Sequence, residues 1–147
     1  MQDFSFSSVK TVINGLGSCR RQLGSSARQL GITRALIVTD NGIVNSGLIE
    51  PALASLTEAG ISSVVYTDVV ADPPESVVEQ SLAFAKEQGI DGVIGLGGGS
   101  SLDVAKVIAL LTHSSQTLQQ VYGVGNAQGT RLPLIQIPTT AGTGSEV

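Results

Sequence analysis

The chain has 147 residues, 41% of them hydrophobic, with a mean hydropathy of +0.28. That is enough for one domain with its own core and too apolar for a disordered chain. Its 8 basic and 12 acidic residues leave a net charge of −4, aromatics are 3% and there is no Trp, which excludes a nucleic-acid partner on both charge and stacking grounds.

One cysteine, Cys19, rules out an internal disulfide framework and fits a reducing compartment. The opening MQDFSFSSVK lacks a basic n-region followed by an apolar run, and no stretch reaches the roughly 18 apolar residues that would cross a membrane. The expectation is a cytoplasmic protein with no membrane segment. The single histidine, His113, cannot furnish the two or three imidazoles that zinc and non-haem iron sites draw on. Most ligands of any metal would lie outside these residues.

In chain order, Val9 to Ile13 followed by Asn14-Gly15 predicts a strand entering a hairpin, whose open edge would suit pairing with a second copy as a homodimer. Cys19 to Leu30 predicts a helix weakened by Gly24. Ala35-Leu36-Ile37-Val38 is a strand. Ile49, Ala52, Leu53 and Leu56 mark a helix that closes at Ala59-Gly60. Ser63 to Tyr66 is a second such strand. Asp72-Pro73-Pro74-Glu75 opens a helix carrying Val77, Val78, Leu82 and Ala85 and ending at Gly89. Here Asp72 is either the N-cap or a polar contact at a cleft. Gly92 to Leu96 is a strand, Leu102 to Leu111 a helix apolar nearly all round, and Leu132 to Gln136 the last strand.

The strand runs are uniformly apolar rather than alternating, as in parallel sheets covered on both faces. Strand–helix alternation of this kind makes an α/β sheet, whose ligands bind beyond the carboxyl ends of the strands. The residues that follow each run therefore matter most. They are Thr39-Asp40-Asn41-Gly42, then Gly97-Gly98-Gly99-Ser100-Ser101-Leu102-Asp103, then Pro138-Thr139-Thr140-Ala141-Gly142-Thr143-Gly144-Ser145.

Three glycines before a helix let the backbone take positive φ and approach a ligand, with amides and the helix dipole directed at an anion such as a pyrophosphate. The plainer alternative is a turn with Ser100 as N-cap and Asp103 completing a capping box. The linear dinucleotide fingerprint is incomplete, since Gly95-x-Gly97-x-x-Ser100 lacks its third glycine, and no Walker lysine is present. Asp40 is placed to accept hydrogen bonds from a ribose and to repel a 2′-phosphate, favouring NAD over NADP. The same residue would also open an Asx turn at Asp40-Asn41-Gly42. Thr139, Thr140 and Thr143 offer uncharged hydroxyls for ribose or phosphate oxygens. Lys106 should pair with Asp103 one turn away, and Cys19 should be a packed side chain.

Ile37-Val38-Thr39-Asp40, Ala71-Asp72-Pro73-Pro74, Gly97-Gly98-Gly99-Ser100-x-x-Asp103-x-Ala105-Lys106 and Pro138 to Val147 together resemble the iron-containing (group III) alcohol dehydrogenase family. The resemblance implies a Rossmann-like α/β parallel sheet with flanking helices, of the dehydroquinate synthase N-terminal type. Residues 1–147 would be the nucleotide-binding domain, and the C-terminal helical domain of a longer enzyme would be absent. It implies that Gly97, Gly98, Gly99, Ser100, Ser101 and Asp103 line the pyrophosphate and nicotinamide side of NAD, with Thr139, Thr140 and Thr143 on its phosphates and ribose. Asp40 would select NAD where NADP-using relatives carry glycine, and Asp72 takes a position near the adenosine often held by asparagine. Iron(II), or zinc, would be held by an aspartate and three histidines of the helical domain, polarising a small alcohol or aldehyde for hydride transfer. These residues alone would then catalyse nothing. Glycerol dehydrogenase, maleylacetate reductase and dehydroquinate synthase relatives share this domain. A flavodoxin-like sensor or receiver is the other alternative, although it needs several acids where Thr39-Asp40-Asn41 offers one.

Overall fold

Strands with branched apolar side chains on both faces are stable only between two layers of helix, and the chain builds that sandwich. The computed structural model describes residues 8–147; the first seven residues of the stretch read for a leader lie outside the described residues. The elements are helix α1 (Ser18–Gln29), strand β1 (Arg34–Val38), helices α2 (Asn41–Asn45) and α3 (Glu50–Glu58), β2 (Ser62–Tyr66), α4 (Glu75–Glu87), β3 (Gly92–Gly97), α5 (Gly99–Leu111), a 3-10 turn (Gln119–Val121) and β4 (Leu134–Pro138).

Among the described residues they form a four-stranded parallel sheet in the order β2-β1-β3-β4. Ala35, Leu36, Ile37 and Val38 of the central β1 are completely buried. Leu36 and Val38 join Val78 and Ala85 of α4 and Val104 and Ile108 of α5 on one face. Ala35 and Ile37 join Leu23 and Ala27 of α1, Ile43 of α2 and Leu56 of α3 on the other. Each fully buried Val, Leu or Ile side chain contributes about 1.5–3 kcal/mol, so these two clusters hold the layers together. From the centre, β1 leads outward to β2 and β3 leads outward to β4. The chain thus reverses direction between β1 and β3, and such a switch point opens a crevice at the strands' carboxyl ends.

Three expectations are corrected. Val9 to Ile13 is irregular and exposed, and the Gly15 carbonyl accepts from Ser18 N at 3.0 Å instead of closing a hairpin. A β-branched run without a paired neighbour has no ladder to hold it extended, so the open edge behind the homodimer expectation is not formed there. Asp72 is not the N-cap of α4; Pro74 is. A residue preceding proline is disfavoured in the helical region, and the helix starts only after both prolines; Asp72 itself takes φ +46°. The last strand begins at Leu134 rather than Leu132, because Leu132 N is drawn to the Ala109 carbonyl of α5 at 2.8 Å.

At the amino edge of the sheet, Asp91 ties β3 to β1 by accepting from Thr33 N at 2.9 Å, Arg34 N at 2.8 Å and the Thr33 hydroxyl. Partial burial pushes its carboxyl up, but these donors outweigh that and hold it below its ordinary value of 3.8. A folded-state value below the unfolded one contributes stability above the unfolded pKa, and that contribution is lost as pH falls through the folded pKa. Asp91→Asn is therefore expected to be less stable than wild type near neutrality, with a smaller stability loss between about pH 6 and pH 3. Urea unfolding at the two pH values checks this; an acid limb as steep as wild type's would count against it.

Candidate functional site

The carboxyl-end loops converge as the topology requires. A cleft of about 590 Å3 opens between them, lined by residues 40–42 after β1, 69–71 after β2 and 98–101 after β3. A smaller cavity of about 250 Å3 lies between the ends of α1 and α3, beside Arg28 and Gly60. None of the carboxyl-end loops reaches it, so the larger cleft is the candidate site.

Asp40 stands half-buried on its rim. Its Oδ1 accepts from Ile43 N at 3.1 Å, capping the short α2, so the turn that Asp40 was expected to open is formed. The other carboxylate oxygen, Oδ2, faces Gly97, where an added Cβ would lie 3.3 Å from it. One oxygen thus holds the local turn and the second lies toward Gly97, at the floor of the cleft. The backbone bridge between Asp40 and Asp68 joins the exits of β1 and β2.

The three glycines serve different purposes. Gly97 alone takes a positive φ, +147°, and a side chain there would meet Ser101 Oγ at 2.9 Å. Gly98, at φ −78°, is the N-cap of α5. At Gly99 an added Cβ would come within 3.2 Å of Ser145 Oγ and 3.3 Å of Thr143, so even a methyl group would press these side chains back by a few tenths of an ångström. The capping box, the plainer alternative for Ser100 and Asp103, is not formed. The helix starts one residue earlier than Ser100, and no side chain among the described residues caps it. Ser100 Oγ instead accepts from Asp72 N at 3.3 Å, and Asp103 accepts from Ser145 Oγ at 3.1 Å and pairs with Lys106 at 3.5 Å. The first amides of this 13-residue helix therefore keep their hydrogen-bonding capacity, and the helix dipole adds about half a positive charge at the same end.

Of the residues singled out from sequence, Asp40, Gly98, Gly99, Ser100 and Ser101 line the cleft. Thr139, Thr140 and Thr143 are exposed on the next loop, outside the lining but against the glycine turn. Thr139 N donates to the Gly97 carbonyl at 2.9 Å, and a Cβ at Gly98 would touch Thr140 at 3.7 Å. Asp72 and Asp103 lie beside this constellation, each tied to it by one hydrogen bond, and Gly97 forms its buried floor.

Val69 and Val70 line the cleft without having been singled out, and Ala71 does so having been quoted only as the start of the Ala71-Asp72-Pro73-Pro74 string; the end of the Ser63 to Tyr66 run was the available signal. Ser145 is buried as the joint between the threonine loop and α5, and the wholly buried Thr39 hydroxyl has no partner among the described residues. Cys19 packs against the α1–α3 cluster, and burial raises its thiol pKa, which disfavours the reactive thiolate. Among the described residues no three His, Cys, Asp or Glu side chains gather to hold a metal ion, and no helix is long and apolar enough to cross a membrane.

A model of the family described as iron-containing alcohol dehydrogenase matches residues 10–147. The chain is 39% identical over 151 residues to choline dehydrogenase of Bacillus subtilis (strain 168), covering 100% of this chain and 37% of that protein. It is 33% identical over 126 residues to the NAD-dependent methanol dehydrogenase of Bacillus methanolicus, covering 86% of this chain and 33% of that one. The crystal structure of an iron containing alcohol dehydrogenase superposes with a TM-score of 0.88 at 31% identity, over 99% of this chain and 40% of that one. The chain thus spans only 33–40% of the length of these relatives. With sequence and backbone agreeing along almost all of its length, this chain belongs to the iron-containing alcohol dehydrogenase family.

Proposed function

We propose that this chain is the nucleotide-binding domain of a metal-dependent dehydrogenase that transfers hydride between a small alcohol or aldehyde and NAD. One observation carries the reading: the uncapped amino terminus of α5 opens onto a glycine turn at the β1–β3 switch point, with the Asp40 carboxylate on the same cleft. That combination suits a dinucleotide, because amides and the positive helix end take the pyrophosphate while a carboxylate takes ribose hydroxyls.

The main-chain amides of Gly99, Ser100 and Ser101 would hold the pyrophosphate, and Asp40 would accept from the adenosine ribose. Thr139, Thr140 and Thr143 would add hydroxyls from the adjoining loop, with Gly97 and Gly98 keeping the backbone bare. Asp103 would keep the threonine loop in place through Ser145, and Asp72 would flank the adenosine end. Bound there, NAD supplies the hydride acceptor at its nicotinamide ring. The described residues contain no ligand set for iron(II) or zinc, so this chain's own share is to bind and orient the nucleotide. The metal and the substrate pocket would belong to a further, helical domain. A cytoplasmic location completes the proposal, supported by the lone Cys19. Family membership removes the sensor alternative.

Titration of the 147-residue chain with NADH, followed by nicotinamide fluorescence, tests this. Saturable binding displaced by NAD is expected, together with no alcohol oxidation by the chain alone. Gly99→Val, which forces branched carbon toward Ser145 and Thr143, should abolish the binding while leaving a cooperative unfolding transition. Absence of saturable binding by wild type, or unchanged binding by a folded Gly99→Val, would overturn the reading.

A further inference from the structure

Gln136 is a polar residue in a parallel strand, where the neighbouring side chains are apolar. In β4 it stands in register with Gly95 of β3. Ile135 and Ile137 pack toward the α1–α3 cluster, so by strand alternation Gln136 and Leu134 share the α5 face. Its Nε2 donates to the Leu102 carbonyl, in the first turn of α5, at 2.9 Å. Its Oε1 is buried with no partner among the described residues. A carbonyl can only accept, so Leu102 determines which end of the amide faces the helix.

Gly95 is what makes room for this side chain. A Cβ there would stand 2.1 Å from Gln136 Oε1 and 3.0 Å from the Ala105 Cβ of α5. The amide thus fills a gap left by a missing side chain, between two strands and a helix that are in close approach.

We propose that Gln136 is a positioning residue for the cleft. Its amide sets the spacing between the first turn of α5 and the end of β4, and so between the glycine turn at 97–99 and the threonine loop at 139–143, with Gly95 as its socket. The consequence for binding rests on the nucleotide reading above. Two other hydrogen bonds among the described residues join these same two segments, Thr139 N to the Gly97 carbonyl and Ser145 Oγ to Asp103. Asp103 is exposed, so water competes for that second link. The Gln136 bond is part-buried as well, and it ties β4 itself, rather than the loop beyond it, to the first turn of α5, with Oε1 fully buried beside it. The unpartnered oxygen offsets the bond's contribution to folding, so the amide's effect falls on the spacing more than on global stability.

Gln136→Met keeps the unbranched shape and removes both the donor and the lone oxygen. In the 147-residue chain its urea midpoint is expected to match or exceed wild type. The NADH Kd should rise about fivefold, and backbone amide NMR signals of Gly98, Gly99, Thr139 and Thr140 should move. Gly95→Ala should destabilise the chain, and by less in a Gln136→Ala background, because the clash with the amide is then gone. Unmoved signals at both loops, or strictly additive costs of the two alanine changes, would overturn the positioning itself whatever happens to NADH. Moved signals with an unchanged Kd would overturn its link to binding. No NADH binding by wild type would instead sink the nucleotide reading, and the NMR and double-variant results would still decide the socket.

Discussion

Asp40→Gly is expected to move the chain's preference from NADH toward NADPH by an order of magnitude or more, equivalent to about 1.4 kcal/mol. The carboxylate is half-buried on the cleft, and only Oδ1 is engaged by the α2 turn. With Oδ2 available to the ligand, a ribose diol gains an acceptor, whereas a 2′-phosphate meets a like charge in a partly desolvated place. Removing the side chain removes both effects. The fold should survive, because replacing an N-cap by glycine costs only about a few tenths of a kcal/mol. Asp40→Asn separates charge from shape, since it retains the cap, and it should fall between wild type and glycine. Paired fluorescence titrations with NADH and NADPH provide the measurement. A ratio indistinguishable among the three proteins would remove Asp40 from the binding site and leave it as a turn residue only.

Gly24→Ala is expected to destabilise the chain by about 2 kcal/mol, although alanine is the better helix former by about 1 kcal/mol. Gly24 lies in the middle of α1 and is buried where that helix crosses α3. A Cβ there would fall 2.3 Å from the Ser55 carbonyl oxygen and 2.7 Å from the Ala59 Cβ. Backbone cannot yield as a flexible side chain does, so the two helices must separate. Separation also strains the bond from Gly24 N to Ser55 Oγ at 3.0 Å and loosens the packing around Leu23, Ala27 and Leu56. Equilibrium unfolding in urea reads the difference directly. Any gain in stability would show that local propensity outweighs the crossing. NADH affinity of the folded fraction should be unchanged, because neither helix lines the cleft.

Gly24 shows where sequence reasoning reaches its limit. Within its own helix it registers only as a weak point, and its value depends on Ser55, 31 residues away. Asp72, Ser100 and Asp103 show the same thing. Each was chemically suited to cap the helix next to it, and each is engaged by a more distant group or displaced by its proline neighbours. Val9 to Ile13 had the composition of a strand but no partner to pair with.

Periodicity, turn chemistry and uniformly apolar runs are local properties, and they were sufficient to specify the parallel α/β layers, three of the four strands closely and the loops at the carboxyl edge. The placement of Asp40 and the glycine triplet at the carboxyl edge was legible for the same reason, since a parallel sheet sends every such loop to one rim. Which oxygen of Asp40 caps α2, which glycine takes a positive φ and which is closely packed, and the seating of Gln136 against Gly95 became visible only in the folded chain. Those outcomes turn on distances of a few ångströms between segments remote in sequence, and strand register and helix approach, which set such distances, belong to the assembled layers rather than to any one stretch of chain.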